Sequence, residues 1–300
     1  MKTKKLSLLI LLVVAILSNA CAQSSKNIFN SETFSIVELG TPNFNGSYDE
    51  CSKSNRISLK YVSQVGNDIT DDEAWLEKYA MGLKPRTEYA FTPGGNRAPE
   101  ELKSIVPLTC GNLYRRTIDI TEGYNVLYYG ERNWDSDFGV NPTLVIVTDP
   151  AIENVLYAFD FSNFSVHSYA NDEGKEYVGI SVGDVEIEDD VLYASVSHCT
   201  YAKSSAGYNA YLVAIDLKTA TVKWISQPLT CNSSFHIYKD VIFSGYGYTN
   251  ERDYIHIIDK ETGCRISSVE LSKGPSYLSI IDNMLYVRTY NIDYTFKIVE

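Results

Sequence analysis

Three segments of this chain repeat one pattern at a spacing that few folds accommodate. Ile187-Glu188-Asp189-Asp190-Val191-Leu192-Tyr193, Ile237-Tyr238-Lys239-Asp240-Val241-Ile242-Phe243 and Ile280-Ile281-Asp282-Asn283-Met284-Leu285-Tyr286 each read as strand, polar turn, strand. Asp or Asn just before an apolar-aromatic run tolerates left-handed backbone, which is the turn chemistry of a β-hairpin. A further strand follows each of the first two hairpins: Tyr211-Leu212-Val213-Ala214-Ile215-Asp216, then Tyr254-Ile255-His256-Ile257-Ile258-Asp259. These two copies start 43 residues apart, and the hairpins are spaced by 50 and then 43. A period in the low-to-middle forties is that of a four-stranded propeller blade. The sequence therefore predicts an all-β chain, a β-propeller built from four-stranded antiparallel blades of about 40–45 residues. The 23 tyrosines suit half-buried strand positions.

The residues that close the repeat carry a family resemblance. Ala214-Ile215-Asp216, then Thr219-Ala220 and Trp224, and in the next copy Ile257-Ile258-Asp259 with Thr262-Gly263, resemble the PQQ-like (quinoprotein alcohol dehydrogenase-like) β-propeller repeat. Its blade ends in an apolar-x-Ala-apolar-Asp strand, a Thr-Gly turn, and a Trp that docks between blades. Here Ala220 replaces the Gly in one copy, and Ser267 replaces the Trp in the other. A third copy is read at Val155-Leu156-Tyr157-Ala158-Phe159-Asp160, with Asn125-Val126-Leu127-Tyr128 as its hairpin strand. Pro-Leu-Thr-Cys occurs at both 107–110 and 228–231, about three periods apart. The quinoprotein enzymes of this family use a cofactor-stacking Trp, an adjacent-Cys disulfide, a metal site and a catalytic Asp. No adjacent Cys pair occurs in this chain.

The N-terminal third departs from the pattern. Phe34-Ser35-Ile36-Val37-Glu38-Leu39 and Arg56-Ile57-Ser58-Leu59-Lys60-Tyr61-Val62 alternate like strands. Thr70-Asp71-Asp72-Glu73 reads as a capping box opening a short helix near 71–82, ended by Gly82 with Pro85 beyond. Residues 84–100 read as loop, so the helix and loop form an insertion at about 70–100 of a propeller domain covering 33–300. The terminal run Tyr294-Thr295-Phe296-Lys297-Ile298-Val299 is a strand, expected to complete a blade with one from the N-terminal part and so hide a sheet edge.

Residues 1–20 read as a signal peptide: Lys2, Lys4 and Lys5 precede a twelve-residue apolar run that is too short to span a bilayer. Ala20-Cys21 resembles a bacterial lipobox, with Ser18 where Leu is usual. Cleavage there would leave Cys21 as the lipid attachment site and 21–32 as a tether. The alternative is ordinary cleavage after Ala22 and a secreted soluble chain. Both routes export the protein, to the periplasm or to the outer-membrane or cell surface. With a net charge of -12 at pH 7, the chain is a poor match for nucleic acid, and membrane contact is expected only through the lipid. Cys51, Cys110, Cys199, Cys231 and Cys264 form an odd set without metal-type spacing, so at most two disulfides are possible.

Candidate chemistry is sparse. Asn133, Asp135 and Asp137 place oxygen ligands at alternate positions, as at the start of a calcium loop, although Phe138 and Leu144 stand where Gly and Glu belong. No other cofactor is expected. His167, His198, His236 and His256 have no metal-type spacing, and His198-Cys199 would face opposite sides of a strand. Glu186, Glu188, Asp189 and Asp190 read as a solvated hairpin edge. Tyr201, Tyr208, Tyr246, Tyr248 and Tyr290, with Tyr294 nearby, fall in or beside segments linking the second and third strands. Tyrosine supplies contact area at low entropic cost, so these residues are the candidate ligand-binding face. The reading is a non-catalytic binding or scaffold module with a protein or glycan partner at the cell envelope. The alternative is a propeller enzyme, quinoprotein-like or carbohydrate-active.

Overall fold

The apolar runs of the repeat become strands buried on both faces, which is why they read as continuous rather than alternating. In Val191-Leu192-Tyr193-Ala194, Leu192 and Ala194 face one core while Val191 and Tyr193 face the next. The computed structural model describes residues 37–38, 57–79, 114–121, 123–132, 140–150, 155–161, 164, 180–198, 207–248 and 250–300. They form an all-β propeller of antiparallel blades with one short helix.

Blade I holds β3 (Tyr114–Thr121), β4 (Tyr124–Arg132), β5 (Val140–Thr148) and β6 (Val155–Asp160), with β1 (Val37–Glu38) added parallel to β6 as a fifth strand. Blade II is β7 (Ile180–Glu188), β8 (Val191–His198), β9 (Tyr211–Asp216) and β10 (Thr221–Ile225). Blade III is β11 (Phe235–Tyr238), β12 (Val241–Tyr246), β13 (Asp253–Asp259) and β14 (Arg265–Leu271). Blade IV is β15 (Pro275–Ile281), β16 (Met284–Thr289) and β17 (Ile292–Val299), completed by β2 (Ser58–Gly66). The terminal strand thus pairs antiparallel with an N-terminal one, Ile298 opposite Leu59. Among the described residues, three apolar cores lie between successive blades: Tyr128, Val145 and Phe159 meet Val182 and Val213, Tyr193 and Leu212 meet Phe235 and Ile258, and Phe243 and Ile257 meet Leu278 and Val287.

Two of the three repeated hairpins turn as expected, with Asp189 and Asp190 (φ 52° and 61°) and Asp282 and Asn283 (φ 49° and 60°) in the left-handed region. In the middle hairpin it is Lys239, φ 56°, that takes this conformation. The third repeat copy is placed one strand too late. Val155 to Asp160 forms β6, the fourth strand of blade I, whereas β5 leading into Asp149 holds the position of β9 and β13. Both end an apolar run on Asp, so the motif alone does not separate them.

The blade-closing turns explain the Asp and Thr of the repeat. Asp216 Oδ1 accepts from the Thr219 amide at 2.9 Å, and Asp259 Oδ1 accepts from the Thr262 amide at 2.8 Å and its hydroxyl at 2.7 Å. The next residue is left-handed in both turns: Ala220 at φ 53° and Gly263 at φ 72°. For Ala220 this costs about 1–2 kcal/mol, but its buried methyl recovers about 0.8 kcal/mol. Gly would also give the unfolded chain more freedom, by roughly 0.5–1 kcal/mol. Ala220→Gly is therefore expected to move the urea midpoint by less than about 1 kcal/mol in stability.

The helix starts differently from the expected capping box. Asp68 caps a 3-10 turn at Ile69–Asp71, its Oδ1 accepting from the Thr70 amide at 3.0 Å, and α1 (Asp72–Tyr79) follows. The expected end at Gly82 lies outside the described residues. Helix α1 lies on blade IV: Trp75 is buried and stacks on Tyr277, Tyr79 stacks on Tyr286 at 4.4 Å, and Ser279 donates to the Tyr79 carbonyl. Arg288, 2% exposed, holds the segment down. Its guanidinium donates to Asp72, to the Asp68 carbonyl at 2.6 Å and to Asp293 at 3.2 Å.

Candidate interaction face

In each repeating blade the connection from second to third strand, and the crossing from fourth strand to the next blade, emerge at the same end. Hydrogen bonds between blades make this end a rigid surface. The Tyr248 hydroxyl donates to the His198 carbonyl at 3.0 Å and accepts from Asn209 Nδ2 at 3.1 Å, tying the β12–β13 connection to the end of β8. Asn209 Oδ1 accepts from the amides of His198 and Ala210, each at 2.7 Å. Asn232 clasps Gly247 by both groups, accepting from its amide at 3.0 Å and donating to its carbonyl at 2.7 Å.

The crossing that contains Pro-Leu-Thr-Cys is gathered by two basic side chains. Arg265 Nη2 donates to the carbonyls of Pro228 and Leu229 and to Thr230 Oγ1, at 3.0, 2.7 and 2.9 Å. His256 Nε2 lies 3.0 Å from the Leu229 carbonyl, so this nitrogen carries the proton, and Nδ1 accepts from Ser268 at 2.7 Å. Leu229 itself is left-handed, φ 57°. Cys231, at the end of the segment, is a buried thiol whose pKa burial pushes up, consistent with a packing role.

The candidate tyrosines divide. Tyr246 is buried and its hydroxyl donates to Glu251 at 2.6 Å, with its ring edge-on to Tyr248 at 5.8 Å. Tyr248 and Tyr208 are half-buried, the latter against the core between blades I and II. Tyr290 is 63% exposed at the β16–β17 tip. Tyr294 is buried, hydrogen-bonded to Ser272. The structure thus brings Tyr246 and Tyr248 together and leaves Tyr290 on a separate tip. Tyr201, the Asn133, Asp135 and Asp137 loop, and Cys21 lie outside the described residues. Among the described residues no group of three or more His, Cys, Asp and Glu side chains is placed to hold a metal.

Asn209, Asn232 and Arg265 were not legible as determinants of this face, because their partners lie in other segments: Asn209 on the His198 amide and Tyr248, Asn232 on Gly247, and Arg265 on the crossing at 228–230. Asp253 is another. Its Oδ1 is buried without a hydrogen-bond partner against Gly247, whose missing side chain makes the space, and burial raises the carboxyl's pKa.

Glu186 and Glu188 are not a solvated edge but clamps onto blade III: Glu186 Oε2 accepts from the Ile237 amide at 3.0 Å, and Glu188 pairs with Lys260. Of the four acidic residues of this hairpin, Asp189 stays largely in solvent, while Asp190 is half-buried and pairs with Lys218 at 2.7 Å.

The buried histidines make the face acid-sensitive. Burial lowers the pKa of His198 to about 4, and burial with the Arg265 charge lowers that of His256 to about 3. Both lie below the ordinary 6.5, so below that pH the unfolded chain binds protons that the native state refuses. Their contribution is complete above pH 6.5 and is lost as pH falls toward 4 and then 3. The expected result is a melting temperature that drops steeply between pH 6.5 and 4, with a shallower drop for His256→Gln.

No protein-family model and no curated protein matches the chain. Solved structures similar to parts of it include BamB from Moraxella catarrhalis, 12% identical with a TM-score of 0.32, covering 60% of this chain and 69% of that one. Another is the quinohemoprotein alcohol dehydrogenase ADHIIG from Pseudomonas putida HK5, 16% identical with a TM-score of 0.38, covering 57% and 27%. A third is a europium-containing methanol dehydrogenase, 13% identical with a TM-score of 0.35, covering 55% and 26%. The chain spans about a quarter of the length of these two dehydrogenases. At these scores and identities the similarities assign no activity to the chain.

Proposed function

We propose that this protein is an exported propeller, lipid-anchored through Cys21, that acts as a non-catalytic binding or scaffold module for a protein or glycan at the cell envelope. The observation that carries the reading is the Tyr248 hydroxyl bridging two blades at one end of the propeller. It fixes the connection that carries the half-buried Tyr248, with the buried Tyr246 beside it, and a preorganised aromatic surface binds with less ordering cost. Tyr290 offers an exposed ring on the neighbouring tip. The tether at 21–32 would set the propeller off the membrane, and the acidic chain has little attraction for anionic lipid.

Two experiments test this. Metabolic labelling with a tritiated fatty acid should mark the wild type and not Cys21→Ser, and equal labelling would overturn the anchor. Thermal-shift and native mass spectrometry screening against glycans and cell-wall fragments, with cross-linking in intact envelopes, should give a partner whose capture falls at least tenfold in Tyr248→Ala with Tyr290→Ala. A shift with calcium or a quinone instead would assign the loop at 133–139 or the propeller axis and favour the enzyme.

A further inference from the structure

The first strands of blades II, III and IV lie side by side without a backbone ladder between them, and side chains make the joints. Asp184 Oδ2 on β7 lies 3.4 Å from the Phe235 amide, and Glu186 Oε2 accepts from the Ile237 amide at 3.0 Å. On the far side of β11, Ser234 Oγ accepts from the Leu278 amide at 3.0 Å. His236 spans the whole joint. Its Nδ1 is 2.6 Å from Glu186 Oε1, and its Nε2 is 2.8 Å from the Leu278 carbonyl.

The proton count follows from the partners. A carbonyl oxygen only accepts, so Nε2 carries a hydrogen. Glu186 accepts a backbone N–H with one oxygen, and its other oxygen, 2.6 Å from Nδ1, receives a hydrogen from that nitrogen. Both imidazole nitrogens are then donors. We propose that His236 is a doubly protonated strut locking blades II, III and IV together, and that its loss of a proton releases them, which makes the joint a conformational device triggered by alkali.

Among the described residues, the groups facing the imidazole supply no other positive charge. On β7 the groups facing the imidazole are Asp184 and Glu186. On β15, whose sequence Pro275-Ser276-Tyr277-Leu278-Ser279-Ile280-Ile281 has no charged residue, it is the Leu278 carbonyl. On β12 the residue opposite is Phe243. Removing the Nδ1 proton leaves the Glu186 carboxylate facing a lone pair, with the Asp184 charge nearby. Burial pulls the imidazole pKa down, but the Glu186 charge and hydrogen bond, then Asp184 and the Leu278 carbonyl, raise it overall to about 9. A raised pKa means that the strut's contribution is complete below pH 6.5 and is lost as pH rises through about 9.

The test is nitrogen-15 NMR of the imidazole in the full chain, with amide hydrogen exchange in parallel. Expected are two protonated ring nitrogens for His236 at pH 7.5 and loss of one proton near pH 9. Across that step, protection of the Ile237 and Leu278 amides should fall at least tenfold relative to Ile257 on β13. A neutral ring at pH 7.5, or a ring that titrates with no change in relative protection, would overturn the proposal. Glu186→Gln should move the titration down by two pH units or more, and an unmoved midpoint would also overturn it. If that variant does not fold, the wild-type titration and exchange decide alone.

Discussion

Arg288→Ala lowers the stability of the protein by about 3 kcal/mol and releases helix α1 from blade IV. Removing one member of a buried ion pair typically costs about 3–5 kcal/mol, because the partner is left unpaired. Here the guanidinium is buried, but Asp72 and Asp293 keep 35% and 29% of their side-chain surface. Solvent therefore softens the loss toward the lower bound. The melting temperature should fall by roughly 6–12 °C for a domain of this size. Exposure of Trp75 should red-shift tryptophan emission before global unfolding. Arg288→Lys cannot reach Asp72, Asp293 and the Asp68 carbonyl at once with a single ammonium, so it should recover only part of the loss. A variant within 1 kcal/mol of wild type, with unchanged emission, would show that α1 is held by its aromatic contacts and the Ser279 hydrogen bond without Arg288.

The second large effect lies at the contact of blades II and III. Trp224 is nearly buried, donates from Nε1 to the Lys260 carbonyl at 3.1 Å, and lies against Gly263 so closely that an added Cβ would sit 2.3 Å from Cε3 of the indole. Gly263→Ala therefore combines left-handed strain of about 1–2 kcal/mol with overpacking of about 1–3 kcal/mol. Trp224→Ala should cost about 3–5 kcal/mol by emptying the site. The two effects share a cause, so they should not add. In a Trp224→Ala background the clash is gone, and Gly263→Ala should cost only the strain, about 1–2 kcal/mol. Additive losses in urea denaturation would show that the indole has room to move aside.

Much of this was readable from the chain because it is local. The hairpins at 187–193 and 280–286 announce themselves by two or three polar residues between apolar runs, and the docking of Trp224 follows from the repeat it closes. What was misread depends on residues far along the chain. Glu186 and Glu188 look like a solvated edge until Ile237, His236 and Lys260 arrive from the next blade. The sequence Ser244-Gly245-Tyr246-Gly247-Tyr248 presents two equivalent tyrosines, yet one is buried against the blade and the other bridges to a neighbour. The asparagines at 209 and 232 carry no periodic signal, since what they bond, the His198 amide and Tyr248 hydroxyl in one case and Gly247 in the other, is set by loop geometry. The capping box failed because Asp68, two residues earlier, offers a carboxylate to the Thr70 amide.

The union of β2 with β17 sets an order of events during synthesis. Asn67 bonds to the Thr289 carbonyl across a separation of 222 residues, so the outer strand of blade IV leaves the ribosome long before its partner exists. Contacts of such high sequence separation form late and slow the overall reaction. Until then Tyr61, Val62 and Val65, which stay exposed even in the finished protein, sit on an unpaired strand able to recruit another chain. Blades II and III, built from contiguous sequence, need not wait. A nascent chain stalled before residue 292 should accordingly hold a protease-resistant centre and a sticky leading segment, and the eight residues of β17 convert the second into the first.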